Sequence, residues 1–404
     1  MSGTAFELLD LVARWIHVIA GIMWVGNSLL FNWLDRSLDA PEGAGQSPEP
    51  VGTIWLLHSG GFYYVEKTLL AGMRVPQPLH WFKWQAYTTW LSGMALLVVV
   101  YYLGGRAVLA DATVAPLSYR AAVMVGLAAI AAGWALYESM QRFVAPRAPA
   151  IAALVWVTGL TVISVELTRL LSGRAAFLHV GAMLGTIMAA NVFFTIVPSQ
   201  RELVASVAAG GSGSAALSAR AKRVSIHNNY FTFPVIALMV SNHFSGIYGH
   251  RLNWLLLLVI IVAGVAVRHV LNVRWKYPNW KPALAGTIAV SVVVLYAIMS
   301  VGSAPASAAA DLSASSAPVT FEEARHVIDR RCGACHSEHP SDLTFGGIAP
   351  VGVLFDTPEQ IVARAARIRE RAVITKTMPP GNKTNITEAE RALLGRWIAQ
   401  GAKN

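Results

Sequence analysis

The feature that most constrains this chain is a series of apolar runs, each about twenty residues long. A helix rises ~1.5 Å per residue, so twenty residues match the roughly 30 Å hydrocarbon core of a bilayer. Eight such runs can be drawn, at about 11–33, 84–104, 118–137, 149–171, 175–197, 225–246, 254–271 and 283–301. In lipid every backbone N–H and C=O must be paired inside its own segment, which makes each run a helix. The chain is 55% hydrophobic and only 13% charged, too greasy for an ordinary soluble domain. The expected fold class is all-α, a polytopic membrane bundle of eight transmembrane helices, with the lipid bilayer as its first partner.

The remaining sequence divides the chain further. After the eighth run comes "GSAPASAAADLSASSAPVT", whose Ala, Ser and Pro content reads as a linker. We therefore expect a membrane domain at 1–301, a linker at 302–319 and a polar C-terminal domain at 320–404. The formal charge of +10 suggests nucleic acid, but the basic residues form no single stripe, and no nucleic-acid partner is expected. Arg36, Lys67, Arg74, Lys83, Arg142, Arg147, Arg201, Arg220, Lys222, Arg223, Arg274, Lys276 and Lys281 belong to loops on one side, whereas the other side's loops hold only Arg106, Arg120, Arg169, Arg174 and Arg251. The positive-inside rule makes the richer side cytoplasmic. Both termini and the C-terminal domain then lie outside the cytoplasm, in the periplasm of a bacterial inner membrane. The opening "MSGTAFELLDLVARW" lacks a basic n-region, so no cleaved signal peptide is expected.

Both cysteines fall in "RRCGACHSEH". C-x-x-C-H is the attachment sequence of a c-type haem: Cys332 and Cys335 form the thioethers and His336 binds iron. Zinc is the competing reading, but it wants about four ligands, and no second cysteine pair exists. "TKTMPPGN" supplies Met378 as the second axial ligand, a pairing that raises the reduction potential; the alternative is a core methionine. "TFEEARHVIDRR" and "TEAERALLGRWIAQGA" read as amphipathic helices capped by Thr320 and Thr387. Two terminal helices around CxxCH and a methionine loop resemble a class I cytochrome c. One covalent haem c is the expected cofactor.

Ionisable residues inside a bilayer mark function by default. Here they are His17, Glu166, His179, His243 and His269, with His227 near the cytoplasmic side. His17, His179 and His243 fall at similar depth toward the exported side. They read either as ligands of a second, b-type haem or redox site, or as interfacial histidines bonded to neighbours. "WIHVIAGIMWVGNSLLF" is similar to the first helix of bacterial haem-binding protoporphyrinogen oxidases, which points to His17. In "LHSGGFYYVEK", a glycine pair and three aromatics accompany His58, Glu66 and Lys67, the candidates for a catalytic patch outside the spans. The other reading of this stretch is a structured interfacial turn.

Taken together, "HSGGFYYVEK", "IHNNYFTFPV" and "CGACHS…APVGVLFDTPEQI…MPPGN" resemble the bacterial membrane-bound urate oxidases with a fused cytochrome c, over essentially the whole chain. The resemblance implies oxidation of urate to 5-hydroxyisourate in purine degradation. Electrons would leave through the fused haem to a downstream cytochrome c or terminal oxidase rather than to hydrogen peroxide. Urate is an anion and needs cationic or donor groups, for which Lys67, Arg169, Asn27, Asn191 and Asn242 are candidates. The competing function is a membrane relay passing electrons from quinol to the cytochrome, with no urate site.

Overall fold

The computed structural model describes residues 3–39, 52–68, 74–103, 106–112, 114–301, 318–342 and 349–404. Most of the expected linker lies outside them. The first helix, α1 (Gly3–Ser37), is followed by a two-stranded antiparallel hairpin, β1 (Gly52–His58) and β2 (Gly61–Lys67). The hairpin is a departure from the all-α expectation. Its turn places Ser59 and Gly60 at φ of 51° and 76°, the left-handed pair that closes a tight hairpin. The aromatic and β-branched residues of "GFYYVEK" favour a strand, here flanking a glycine turn.

Five long helices then run through the bundle: α2 (Lys83–Leu96), α3 (Tyr119–Ser139), α4 (Pro149–Leu170), α5 (Gly173–Ala190) and α6 (Ala215–Val240). Two more follow, α7 (Asn253–Val273) and α8 (Trp280–Ser300). Ser118, Ser172 and Ser214 cap α3, α5 and α6, each accepting a hydrogen bond from a backbone N–H of the first turn. Three of these helices continue through widened π turns, at Leu97–Leu103, Met140–Val144 and Asn191–Ile196.

Among the described residues, seven helices are long and apolar enough to cross a membrane, not the eight expected. The exception is α6, which fails on composition rather than length. Arg220, Lys222, Arg223, His227, Asn228 and Asn229 fall between its start and its middle turn. It also begins ten residues before the expected run and stops at Val240, which leaves His243 outside, in a short turn at Ser241–His243.

The bundle is organised around α5, which packs against α2, α3, α4 and α6; α1 joins through α2, and α8 through α7. Ala175, Ala176, Phe177, Val180, Met183, Leu184 and Ile187 of α5 are all fully buried. In contrast α8 buries no residue, and α1 exposes Leu8, Leu11, Trp15 and Ile22, faces suited to lipid.

The C-terminal residues form a second hydrophobic core. Helices α9 (Phe321–Arg331), α10 (Pro358–Ala363), α11 (Ala365–Ile368) and α12 (Glu388–Ala399) enclose Ile328, Ile361, Ile368, Leu394 and Trp397. Thr320 and Thr387 cap α9 and α12 as expected, each in a reciprocal capping box with Glu323 or Glu390. This tail rests on the bundle. Its turn at Pro380–Asn382 packs on the short helix Arg106–Leu109, and Thr375 and Thr377 approach Gly249. The segment around Leu109 is tied to the start of α5, because Ser172 donates through its N–H to Leu109 O and through Oγ to Val108 O. The α5 N-terminus therefore marks the tail end of the bundle, and the ends of α5 and α7 reach the far side.

Candidate functional site

In the tail, Cys332 follows directly on α9, and Cys335 and His336 occupy the next turn, in which His336 N–H donates to Cys332 O. Both cysteines are free thiols. Burial pushes the Cys332 thiol up to about 12; burial and the neighbouring Asp342 push Cys335 up to about 11. Neither is a thiolate at neutral pH, which argues against a reactive redox pair. Burial also holds His336 below the ordinary histidine range, although its Nδ1–H donates to Val353 O at 3.0 Å. In the neutral ring that bond fixes the Nδ1–H tautomer, whose Nε2 keeps its lone pair, the arrangement of an iron-ligating histidine. Met378 is pinned by its backbone: its N–H donates to Arg371 O, and its carbonyl accepts from the buried Arg391 at 2.9 Å.

At the tail end of the bundle, His179 of α5 is fully buried. Its Nδ1–H donates to Ala175 O at 2.7 Å, and its Nε2 accepts from Tyr102 OH at 2.9 Å. The Nε2–Cδ2 edge of the ring lies against Gly126 of α3. A Cβ there would fall 2.7 Å from His179 Cδ2 and 2.9 Å from Tyr102 OH, so only glycine fits. Both ring nitrogens are thus occupied by protein.

His17 is placed elsewhere. Its Nδ1 meets Thr89 O at 2.9 Å and Ser92 Oγ at 3.2 Å. Those residues precede Tyr102 on the same continuous helix by ten or more positions, about 15 Å along the axis. His17 and His179 are therefore not at one depth, and His243 is exposed at the bundle surface. The three histidines do not converge, and among the described residues no group of three or more His, Cys, Asp or Glu side chains forms a metal site. A shared b-type haem does not fit this arrangement, although His17 alone keeps an uncommitted Nε2.

The other expected candidates are dispersed. Lys67 pairs with Asp35 at 2.8 Å, His58 sits exposed at the hairpin tip, and Glu66 is exposed opposite Thr53. Glu166 and Arg169 pair with each other on the outer face of α4. Asn27 donates to Gln85, and Asn242 accepts from Arg174 at 3.0 Å.

The polar groups that do come together lie on the far side, on "IHNNYFTFPV" of α6. Tyr137 OH donates to His227 Nδ1 at 2.8 Å and accepts from Asn191 Nδ2 at 3.1 Å. Asn191 also donates to Asn228 Oδ1 at 2.8 Å, and Asn228 donates to Met188 O at 3.0 Å. Trp156 and Phe231 flank the Tyr137 ring. Asn191 opens the third π turn, a distortion frequent at functional sites. On the opposite side of α6, Asn229 Oδ1 accepts from Arg268 Nε at 3.0 Å and from Asn272 Nδ2 at 2.7 Å. Arg268 is 1% exposed, and its Nη2 is buried without a partner, as is Asn272 Oδ1. No carboxylate among the described residues pairs with Arg268.

Residues 3–300 match the family model described as urate oxidase N-terminal. The chain belongs to this family. Membership makes it an oxidoreductase related to urate oxidation, with helices that fit a membrane protein. The matched region takes in the whole bundle, including α6 and the polar layer, and stops before the tail. No match was found among curated proteins or among solved structures.

For this urate oxidase family member, the residue that sequence reasoning missed is Arg268. The signal was available, since "VIIVAGVAVRHVLNV" holds a charge inside an apolar run. His269 beside it accepts from Tyr230 OH at the more exposed side of the same helix.

Proposed function

We propose that the protein oxidises urate, with water as the oxygen source and release of two protons, to 5-hydroxyisourate within the membrane bundle and passes the two electrons, one at a time, to a c-type haem in its tail, from which a downstream cytochrome c or terminal oxidase takes them. Cys332 and Cys335 would attach the haem, with His336 and Met378 as axial ligands. When bound, this haem supplies a one-electron acceptor of raised potential. The chain's own residues set its surroundings: Val353 orients His336, while Arg371 and Arg391 hold the Met378 backbone in place.

The observation that carries this reading is the seat of the Met378 loop. Residues 375–382 rest on the turns at 106–109 and 245–249, beside the α5 N-terminus. His179 lies about 10 Å down that helix, bonded to Tyr102 of the neighbouring helix. An acceptor in this loop would lie against the bundle that the urate oxidase family defines, as a fused electron outlet requires. In this reading α6 crosses the bilayer as the eighth span, its polar face turned to α3, α5 and α7 and not to lipid, and the tail is periplasmic.

The test uses purified full-length protein. Anaerobic addition of urate should raise the reduced c-haem absorption bands, and the Cys332→Ala, Cys335→Ala double variant should lose both the bands and the haem-stained band on a denaturing gel. Reduction by quinol and not by urate would make the protein a relay and end this proposal.

A further inference from the structure

Resting on that reading, the far side of the bundle holds a more specific feature than the tail does. Arg268 Nε–H can only donate, so the atom of Asn229 that meets it must be the acceptor Oδ1. That same oxygen then requires Asn272 to approach through Nδ2. The chain of donors and acceptors fixes which way Asn272 points, and leaves its Oδ1 open. Two groups remain with no partner, one a charged donor (Arg268 Nη2) and the other an acceptor (Asn272 Oδ1), on residues 1% and 8% exposed. Buried groups left unpaired each cost stability, and these two belong to side chains that meet at the same Asn229 oxygen.

We infer that Arg268 and Asn272 bind urate by one of its lactam edges: a ring carbonyl oxygen accepts from Arg268 Nη2 and the adjacent ring N–H donates to Asn272 Oδ1. The pair of open groups matches that edge in polarity, and the guanidinium supplies the countercharge a planar anion needs. Three features prepare the site. Asn229 holds both side chains at one point, through Oδ1 and, for Arg268 Nε, also through its carbonyl at 3.2 Å. The helices α6 and α7 meet closely one turn away, where a Cβ on Gly264 would fall 2.8 Å from Pro234 N. The Phe233 ring lies 5.4 Å from the guanidinium carbon and is the side chain placed to yield to, or stack on, a planar ligand. In the neighbouring Tyr137–His227 pair, across α6, His227 Nδ1 accepts from the Tyr137 hydroxyl, which itself accepts from Asn191.

The experiment measures urate binding by equilibrium dialysis to full-length protein in nanodiscs, kept reduced with dithionite so that no turnover occurs, and separately the KM for urate-driven haem reduction. For Arg268→Gln we expect at least a tenfold loss of affinity and a tenfold rise in KM, with haem content and dithionite-reduced bands unchanged. Arg268→Lys should recover part of the loss. If Arg268→Gln does not fold, Asn272→Leu, which removes the acceptor and keeps the charge, carries the same expectation. Variants that bind urate within twofold of the wild type overturn the site, while wild-type turnover leaves the functional reading standing. A wild type that binds urate through Arg268 and never reduces its haem would do the reverse.

Discussion

At the tail end of the bundle, His179 is enclosed with each ring nitrogen in a hydrogen bond. At the far end, Arg268 is enclosed with Nε bonded and Nη2 facing no partner. Both lie on helices able to cross a membrane, where a polar group is costly and marks function by default. The difference teaches that burial alone does not identify a ligand site. His179 closes a network among α2, α3 and α5 and serves packing. Arg268 is held by its neighbours but not satisfied by them, so its remaining bonding capacity is directed at something the chain does not provide.

The largest effect on stability is expected where the network is closed. His179→Ala removes a buried ring and leaves Tyr102 OH without its acceptor. Cavity and unpaired hydroxyl together should cost about 3 kcal/mol, read from thermal unfolding of the intact protein in detergent. A loss under 1 kcal/mol would mean that the ring is not structural, and the contrast with Arg268 would vanish. Arg268→Met should do the opposite. Replacing a buried, half-paired charge by an apolar side chain of similar length is often neutral or stabilising by ~1–4 kcal/mol. A drop of more than about 2 kcal/mol would place Arg268 beside His179 as a packing residue. The smallest effect belongs to Arg169. Its partner Glu166 and the arginine itself are both exposed, and Arg169→Ala should change stability by less than ~0.5 kcal/mol and leave urate affinity unaltered. A marked loss of urate affinity would restore Arg169 as a substrate contact and move the site to the outer face of α4.

Much of the fold was legible because it is set locally. Apolar runs gave helices near 84–104, 149–171 and 254–271 within a few residues of α2 with its π turn, α4 and α7, since backbone pairing in lipid leaves no other choice. Thr320 and Thr387 announced α9 and α12 because a cap bonds residues only three apart. Two features were harder to see. The run at 225–246 looked like a span, but the polar first half of α6 extends the helix back to Ala215. The hairpin falls in a stretch that reads either as a catalytic patch or as a structured turn, and the structure shows the turn, closed by two paired strands.

The site was less legible, for a different reason. "IHNNYFTFPV" was conspicuous, and Asn191 was weighed as a donor, but nothing in the order of residues brings Tyr137, Asn191 and His227 together. Depth counted along separate helices also misled: His17 and His179 look level when each is measured from its own end, until Thr89 and Tyr102 place them along one shared helix.

By itself the sequence determined that this chain forms long helices suited to a bilayer and carries C-x-x-C-H with a methionine loop downstream, because each of those features is complete within a few turns of chain. Only the tertiary structure decided which buried polar atoms are spent and which stay open. That balance depends on the residues neighbouring helices present to one another, at Gly126 against His179 and at Pro234 against Gly264, and such pairings have no signature in any single segment.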